Sequence, residues 1–128
     1  MPCIAFPHMN QQSDSPINLS YLNELSEGDI EFEIELFQVY FEDVLPRLQK
    51  IREAIADNDW LKIMHQAHQV KGASGNVGVC QMEMLAIRLE ESDRDHNSET
   101  ALAIVDEMFI SIKAVEGFVA KKIADFSS

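Results

Sequence analysis

Apolar residues recur at spacings of three and four along most of the chain, the period of helices that bury one face. Ile30, Ile34, Phe37, Phe41, Val44, Leu48, Ile51 and Ile55 carry this pattern through about seven turns. The start of the stretch also alternates, with Ile30, Phe32, Ile34 and Leu36 set against Glu31, Glu33 and Glu35, as in a half-buried strand. The longer period favours helix, and glutamate agrees, because it is a better helix former than strand former. A helix is therefore expected over residues 29–57, with Asp29 as its N-cap. Pro46 lies inside it, lacks a donor and crowds the preceding turn, which predicts a kink near residues 42–46.

Asn58-Asp59 ends this helix and caps the next, over residues 59–77, whose small apolar face is Ile63, Ala67, Val70, Ser74 and Val77. Gly78 suits its C-terminal stop. A third helix, residues 79–94, has Met82, Leu85, Ala86 and Leu89 as its stripe, with Glu83 and Glu90 as polar positions. Asp93 to Asn97 reads as a polar loop containing His96. Ser98 then caps a helix over residues 98–124 with the stripe Leu102, Val105, Phe109, Ile112, Val115, Val119 and Ile123. Upstream, Asn18 can cap a short helix, Leu19 to Leu25, that lies across the end of the bundle until Ser26-Glu27-Gly28 breaks it. Residues 1–16 hold three of the four prolines and no apolar period, so they read as a flexible tail. The expectation is an all-α domain over residues 17–128: an antiparallel up-down-up-down four-helix bundle with a short extra N-terminal helix.

Composition narrows the function. The 128 residues are 46% hydrophobic, enough for one domain with a real core. The net charge of −12 argues against nucleic acid and anionic membranes as partners. No apolar run is long enough to span a bilayer, and the N-terminus lacks the basic-then-apolar pattern of a signal peptide. There is no Gly-rich phosphate loop, CxxC pair or GxSxG elbow, so nothing suggests that the chain draws phosphoryl groups from ATP itself. Cys3 and Cys80 lie far apart in sequence, which suggests reduced thiols and a cytoplasmic setting.

The candidate chemistry lies between His65 and Gly78. On a helix, His68, Lys71, Gly72 and Gly75 share one face, opposite the small apolar face. A glycine inside a helix costs roughly 0.5–1 kcal/mol relative to alanine. Two of them beside a histidine imply that something approaches the backbone there. A histidine carrying a phosphoryl group would need both a nearby cation and room for a large partner. An unperturbed imidazole titrates near about 6.5, so a neutral nucleophile is available at cytoplasmic pH.

Ala67-His68-x-x-Lys71-Gly72-x-Ser74, followed by Gly78, resembles the signature of the histidine-containing phosphotransfer (HPt) domain, and the flanking helices extend the likeness over about residues 17–125. The resemblance implies a four-helix-bundle phosphocarrier of a two-component phosphorelay. His68 would accept a phosphoryl group from an aspartate of one receiver domain and pass it to another. The receivers would belong to response regulators or a hybrid sensor kinase and would hold the Mg²⁺. The chain itself would need no cofactor and would be no kinase. The resemblance further implies that Lys71 steadies the phosphoryl group and that Glu90, on the neighbouring helix, accepts the imidazole Nδ1–H. Leu61, Met64, His65, Gly72 and Gly75 are the expected receiver-docking positions on a monomer. A metal site is not expected, because no Glu-x-x-His repeat accompanies the histidines. The competing reading is an adaptor that binds or inhibits a receiver without accepting phosphate.

Overall fold

The computed structural model describes residues 15–127. Among them the chain forms five α-helices and no strand: α1 (Leu19–Ser26), α2 (Ile30–Ala56), α3 (Trp60–Val77), α4 (Cys80–Glu91) and α5 (Ser98–Ser127). A 3₁₀ turn, Ser92–Arg94, follows α4 and takes up the last residues expected of that helix. The alternation at the start of α2 is thus overridden by the longer helical period.

Caps set most boundaries. The side chains of Asn18, Asp29 and Asp59 accept the backbone N–H of Tyr21, Phe32 and Lys62 at 3.1, 3.1 and 3.2 Å, filling the orphan donors of a first turn. At α5 the cap is Asn97, which accepts from the Thr100 N–H at 3.1 Å. Ser98, expected there, instead donates its hydroxyl to the Asn58 side chain at 3.2 Å, one residue too late in the turn to cap it. α2 continues through Pro46 as one helix of 27 residues. The proline forfeits only the bond to the Glu42 carbonyl, one turn earlier.

α2 packs on α3, α3 on α4, α4 on α5 and α5 back on α2. The pairs that bridge these helices run in opposite order: Tyr40 with Ser74 but Arg47 with Gln66, and Glu33 with Lys122 but Arg52 with Asp106. Neighbours are therefore antiparallel, as short links require. The core is built from Phe37, Val44, Leu48 and Ile51 of α2, Ile63, Ala67 and Val70 of α3, Met82 and Leu89 of α4, and Met108, Ile112 and Val115 of α5. Leu102 and Ile123, expected in the α5 stripe, are 43% and 41% exposed. Ala101, Ile104 and Met108 face inward instead, because the 3.6-residue period drifts over so long a helix. The far end of α5 is held by an ion pair between half-buried Lys122 and buried Glu33, Nζ to Oε1 at 2.6 Å, while Ser26 Oγ donates to the other Glu33 oxygen at 2.5 Å.

No helix among the described residues is long and apolar enough to cross a membrane. Cys80 opens α4 and takes part in a disulfide, which corrects the expectation of reduced thiols. Separation along the chain did not report the environment of Cys80 in space. Cys3 and the tail expected over residues 1–16 lie, apart from Ser15 and Pro16, outside the described residues.

Candidate functional site

The rotation of α3 decides what it shows to solvent. Its buried face is the expected one, Ile63, Ala67, Val70, Ser74 and Val77, joined by Trp60 and Gln66. Two polar bolts hold that face on α2. The Ser74 hydroxyl is hydrogen-bonded to the Tyr40 hydroxyl at 2.8 Å in the interior, and Arg47 donates to the Gln66 side-chain carbonyl at 3.0 Å. Burial pushes the Tyr40 phenol well above its ordinary range, so it stays neutral. At the C-terminal end, Gly78 adopts φ 78°, a left-handed stop that favours glycine. A Cβ on Gly78 would also stand 2.9 Å from the Tyr21 ring. The Asn18 N–H donates to the Gly78 carbonyl at 2.8 Å, so α1 locks the α3–α4 turn.

With that face fixed, His68 points outward, its side chain 65% exposed. Leu61 is 85% exposed, and His65 and Gly72 are exposed on the same side. A Cβ added to Gly72 would meet nothing within 4 Å, so the absent side chain leaves open space beside His68. Met64 is half-buried and packs against the core.

Across the seam on α4, Glu90 faces both charged members of the motif. Its Oε1 lies 2.9 Å from Lys71 Nζ, and its Oε2 lies 3.5 Å from His68 Nδ1. One carboxylate thus pairs with the ammonium and approaches the imidazole Nδ1. The Lys71 ammonium is accordingly engaged in the resting protein, a partnership the helical wheel of α3 does not contain.

Gly75 departs from expectation. It is buried, and a Cβ there would stand 2.5 Å from Glu83 Oε2 and 3.2 Å from Glu83 Cδ. Its missing side chain makes room for α4 and offers nothing to a docking partner. Glu83, expected as a polar position of its helix, is 1% exposed, and neither carboxylate oxygen has a hydrogen-bond partner among the described residues. Burial raises its pKa. The sequence held one sign of this: Glu83 and Glu90 are seven apart on one face of α4, and antiparallel pairing of Glu90 with His68 puts Glu83 opposite Gly75.

His96 is remote from His68 in contacts: its ring stacks on Trp60 with centroids 4.7 Å apart and planes 3° from parallel. Among the described residues no group of three or more His, Cys, Asp or Glu side chains is placed to hold a metal ion.

The sequence model of the Hpt domain matches residues 35–116. The chain belongs to the Hpt domain family. The match contains all of α3 and α4, and therefore the whole cluster of His68, Lys71, Gly72, Glu83 and Glu90. The Hpt fold is also evident in solved structures. The crystal structure of histidine-containing phosphotransfer protein B (HptB) from Pseudomonas aeruginosa PAO1 is similar, with a TM-score of 0.77 and 24% identity over 86% of this chain and 96% of that one. The HPT domain of the Hpt sensor hybrid histidine kinase from Shewanella gives a TM-score of 0.67 and 16% identity over 88% of this chain and 97% of that one. At these identities the likeness speaks for the fold. No curated protein matches the chain in sequence. Membership of the Hpt domain family makes this chain one of a family of phosphocarriers.

Proposed function

We propose that this Hpt domain is a phosphorelay intermediate in which His68 accepts a phosphoryl group from a receiver-domain aspartate and yields it to the aspartate of another receiver. The observation that carries the reading is the arrangement around one imidazole. The His68 side chain is 65% exposed, while a Glu90 oxygen stands 3.5 Å from its Nδ1. With the proton on Nδ1, the Nε2 lone pair attacks the phosphorus of an aspartyl phosphate in line. The P–N bond forms as the P–O bond to the aspartate breaks, and the aspartate leaves as carboxylate. The imidazole ring gains positive charge, which the Glu90 carboxylate offsets. Lys71 balances part of the roughly two negative charges of the phosphoryl group, leaving Glu90 to do so. Gly72, Leu61 and His65 form the ground on which the receiver rests, with Met64 at its edge.

No residue of this cluster activates a nucleotide, and catalysis of the transfer is assigned to the receiver and its Mg²⁺. The reading carries with it a monomer at work in the cytoplasm, a setting that rests on the family and not on the cysteines. The domain assigned to this role begins at residue 17. The test is radiolabel transfer from a phosphorylated receiver to wild type and to His68→Gln, followed by acid and base treatment. Label on wild type only, lost in acid and kept in base, is the signature of a P–N bond on imidazole. Equal labelling of the two proteins, or an acid-stable label, would leave the chain as an adaptor that binds a receiver without accepting phosphate.

A further inference from the structure

Glu83 is a buried ionisable group that this chemistry leaves unused. It lies on α4 seven residues before Glu90, two turns away on the same face. It is 1% exposed, and its oxygens lack hydrogen-bond partners among the described residues. It reaches α3 through the gap at Gly75, where a Cβ would come within 2.5 Å of its Oε2. Burying a carboxylate that has no donor costs several kcal/mol, and taking up a proton removes most of that cost.

Among the described residues the charged groups around it are few. From α3 comes Lys71, one turn before Gly75, with its ammonium 2.9 Å from Glu90; His68 lies one turn further along. From α5, Glu107 and Ser111 approach α4, but they engage Arg88 at 3.5 Å and Gln81 at 2.9 Å. Those two residues project from roughly the opposite side of α4 to Glu83, by the turn angle of a helix. Asp93 and Arg94 follow beyond the far end of α4. The α3–α4 seam therefore runs from Glu83 through Lys71 and Glu90 to His68, with the Lys71 ammonium paired to Glu90 and its charge also acting on Glu83.

We infer that Glu83 is a proton-binding site coupled to the phosphoryl load on His68, with Lys71 as the link between them. This rests on the phosphohistidine reading above. With a proton on Glu83, Lys71 has only Glu90 and the phosphoryl group as anions to serve. When the proton returns to solvent, Glu83 draws Lys71 down the seam and adds a negative charge beside a group that already carries roughly two. Linkage makes the effect reciprocal: a phosphoryl group on His68 tightens the proton on Glu83, and a protonated Glu83 favours the phosphorylated carrier.

The test loads the full chain with phosphoramidate, a small donor to imidazole, with His68→Gln as the control for loading elsewhere. The Glu83 carboxyl is followed by carbon NMR in loaded and unloaded wild type, its resonance assigned by through-bond correlation to the Glu83 backbone. The expected result is a Glu83 midpoint about one pH unit higher in the loaded protein, a tenfold gain in proton affinity. The lifetime of the phosphohistidine in Glu83→Gln relative to wild type should also rise with pH, by about threefold to tenfold for one unit charge at an effective dielectric near 20. His68 loaded with an unmoved Glu83 midpoint overturns this inference and spares the phosphocarrier reading. So does a lifetime ratio that stays flat with pH. No loading of His68 overturns both. The wild-type titration needs no variant to fold.

Discussion

Two glycines three residues apart in one motif should respond to the same substitution with opposite signs. At Gly72 an added Cβ meets nothing within 4 Å. Alanine there should therefore return the helix propensity that glycine forgoes, about 0.5–1 kcal/mol of added stability. At Gly75 the same gain is set against a Cβ placed 2.5 Å from Glu83 Oε2 and 3.2 Å from its Cδ. Glu83 is buried and must shift against packed neighbours, and overpacking of this kind costs about 1–3 kcal/mol. Gly75→Ala should then be less stable than wild type by about 1 kcal/mol, and less stable than Gly72→Ala by about 1–2 kcal/mol. Urea unfolding with an unchanged slope measures both, and each kcal/mol should move the melting temperature by about 3–5 °C in a chain of this size. A double-mutant cycle pairing Gly75→Ala with Glu83→Ala isolates the contact, with an expected coupling of about 1 kcal/mol. If the two glycine variants shift stability in the same direction, or if the cycle is additive to within about 0.5 kcal/mol, the assignment of Gly72 to the open face and Gly75 to the helix seam is wrong.

Gly72→Leu should leave the helical circular dichroism intact and slow phosphoryl transfer from a receiver at least tenfold, while phosphoramidate, being small, should still label His68. Lys71→Ala should shorten the phosphohistidine lifetime several-fold at low salt and less at high salt, since the interaction is between charges near the surface. Tyr40→Phe should cost about 1–2 kcal/mol in urea unfolding, because it leaves the buried Ser74 hydroxyl without its partner. Its pH dependence is also defined: the folded phenol holds its proton longer than the unfolded one, so wild type should lose stability above about pH 10 and the variant should not. Glu83→Gln should remove a corresponding loss at lower pH. The Glu83 carboxyl is raised above 4.5 in the folded protein. Wild type therefore loses stability as pH climbs from there through the raised value, by up to about 1.4 kcal/mol per pH unit, and the glutamine variant should be flat across the same window.

The helices were legible in the sequence because each must bury one stripe, and a stripe of period 3.6 is a one-dimensional record of that burial. The same holds for the inner face of α3 and for the caps Asn18, Asp29 and Asp59, whose side chains act on backbone only a few residues away. Once Ile63, Ala67, Val70 and Ser74 face inward, His68 and Gly72 must face outward, so the exposed part of the motif followed from local geometry. What lies between helices was decided only by tertiary packing. The helical wheel put Gly75 with His68, but the close approach of α4 turned that edge of α3 into a seam. Glu83 and Glu90 looked alike as polar positions on one helix. Their rotation against α3 made one a half-exposed partner of Lys71 and His68, and the other a buried carboxyl lying over a glycine. Periodicity records which side of a helix is apolar. It does not record how near the next helix comes, and at that seam the distance between helices decides which charges meet.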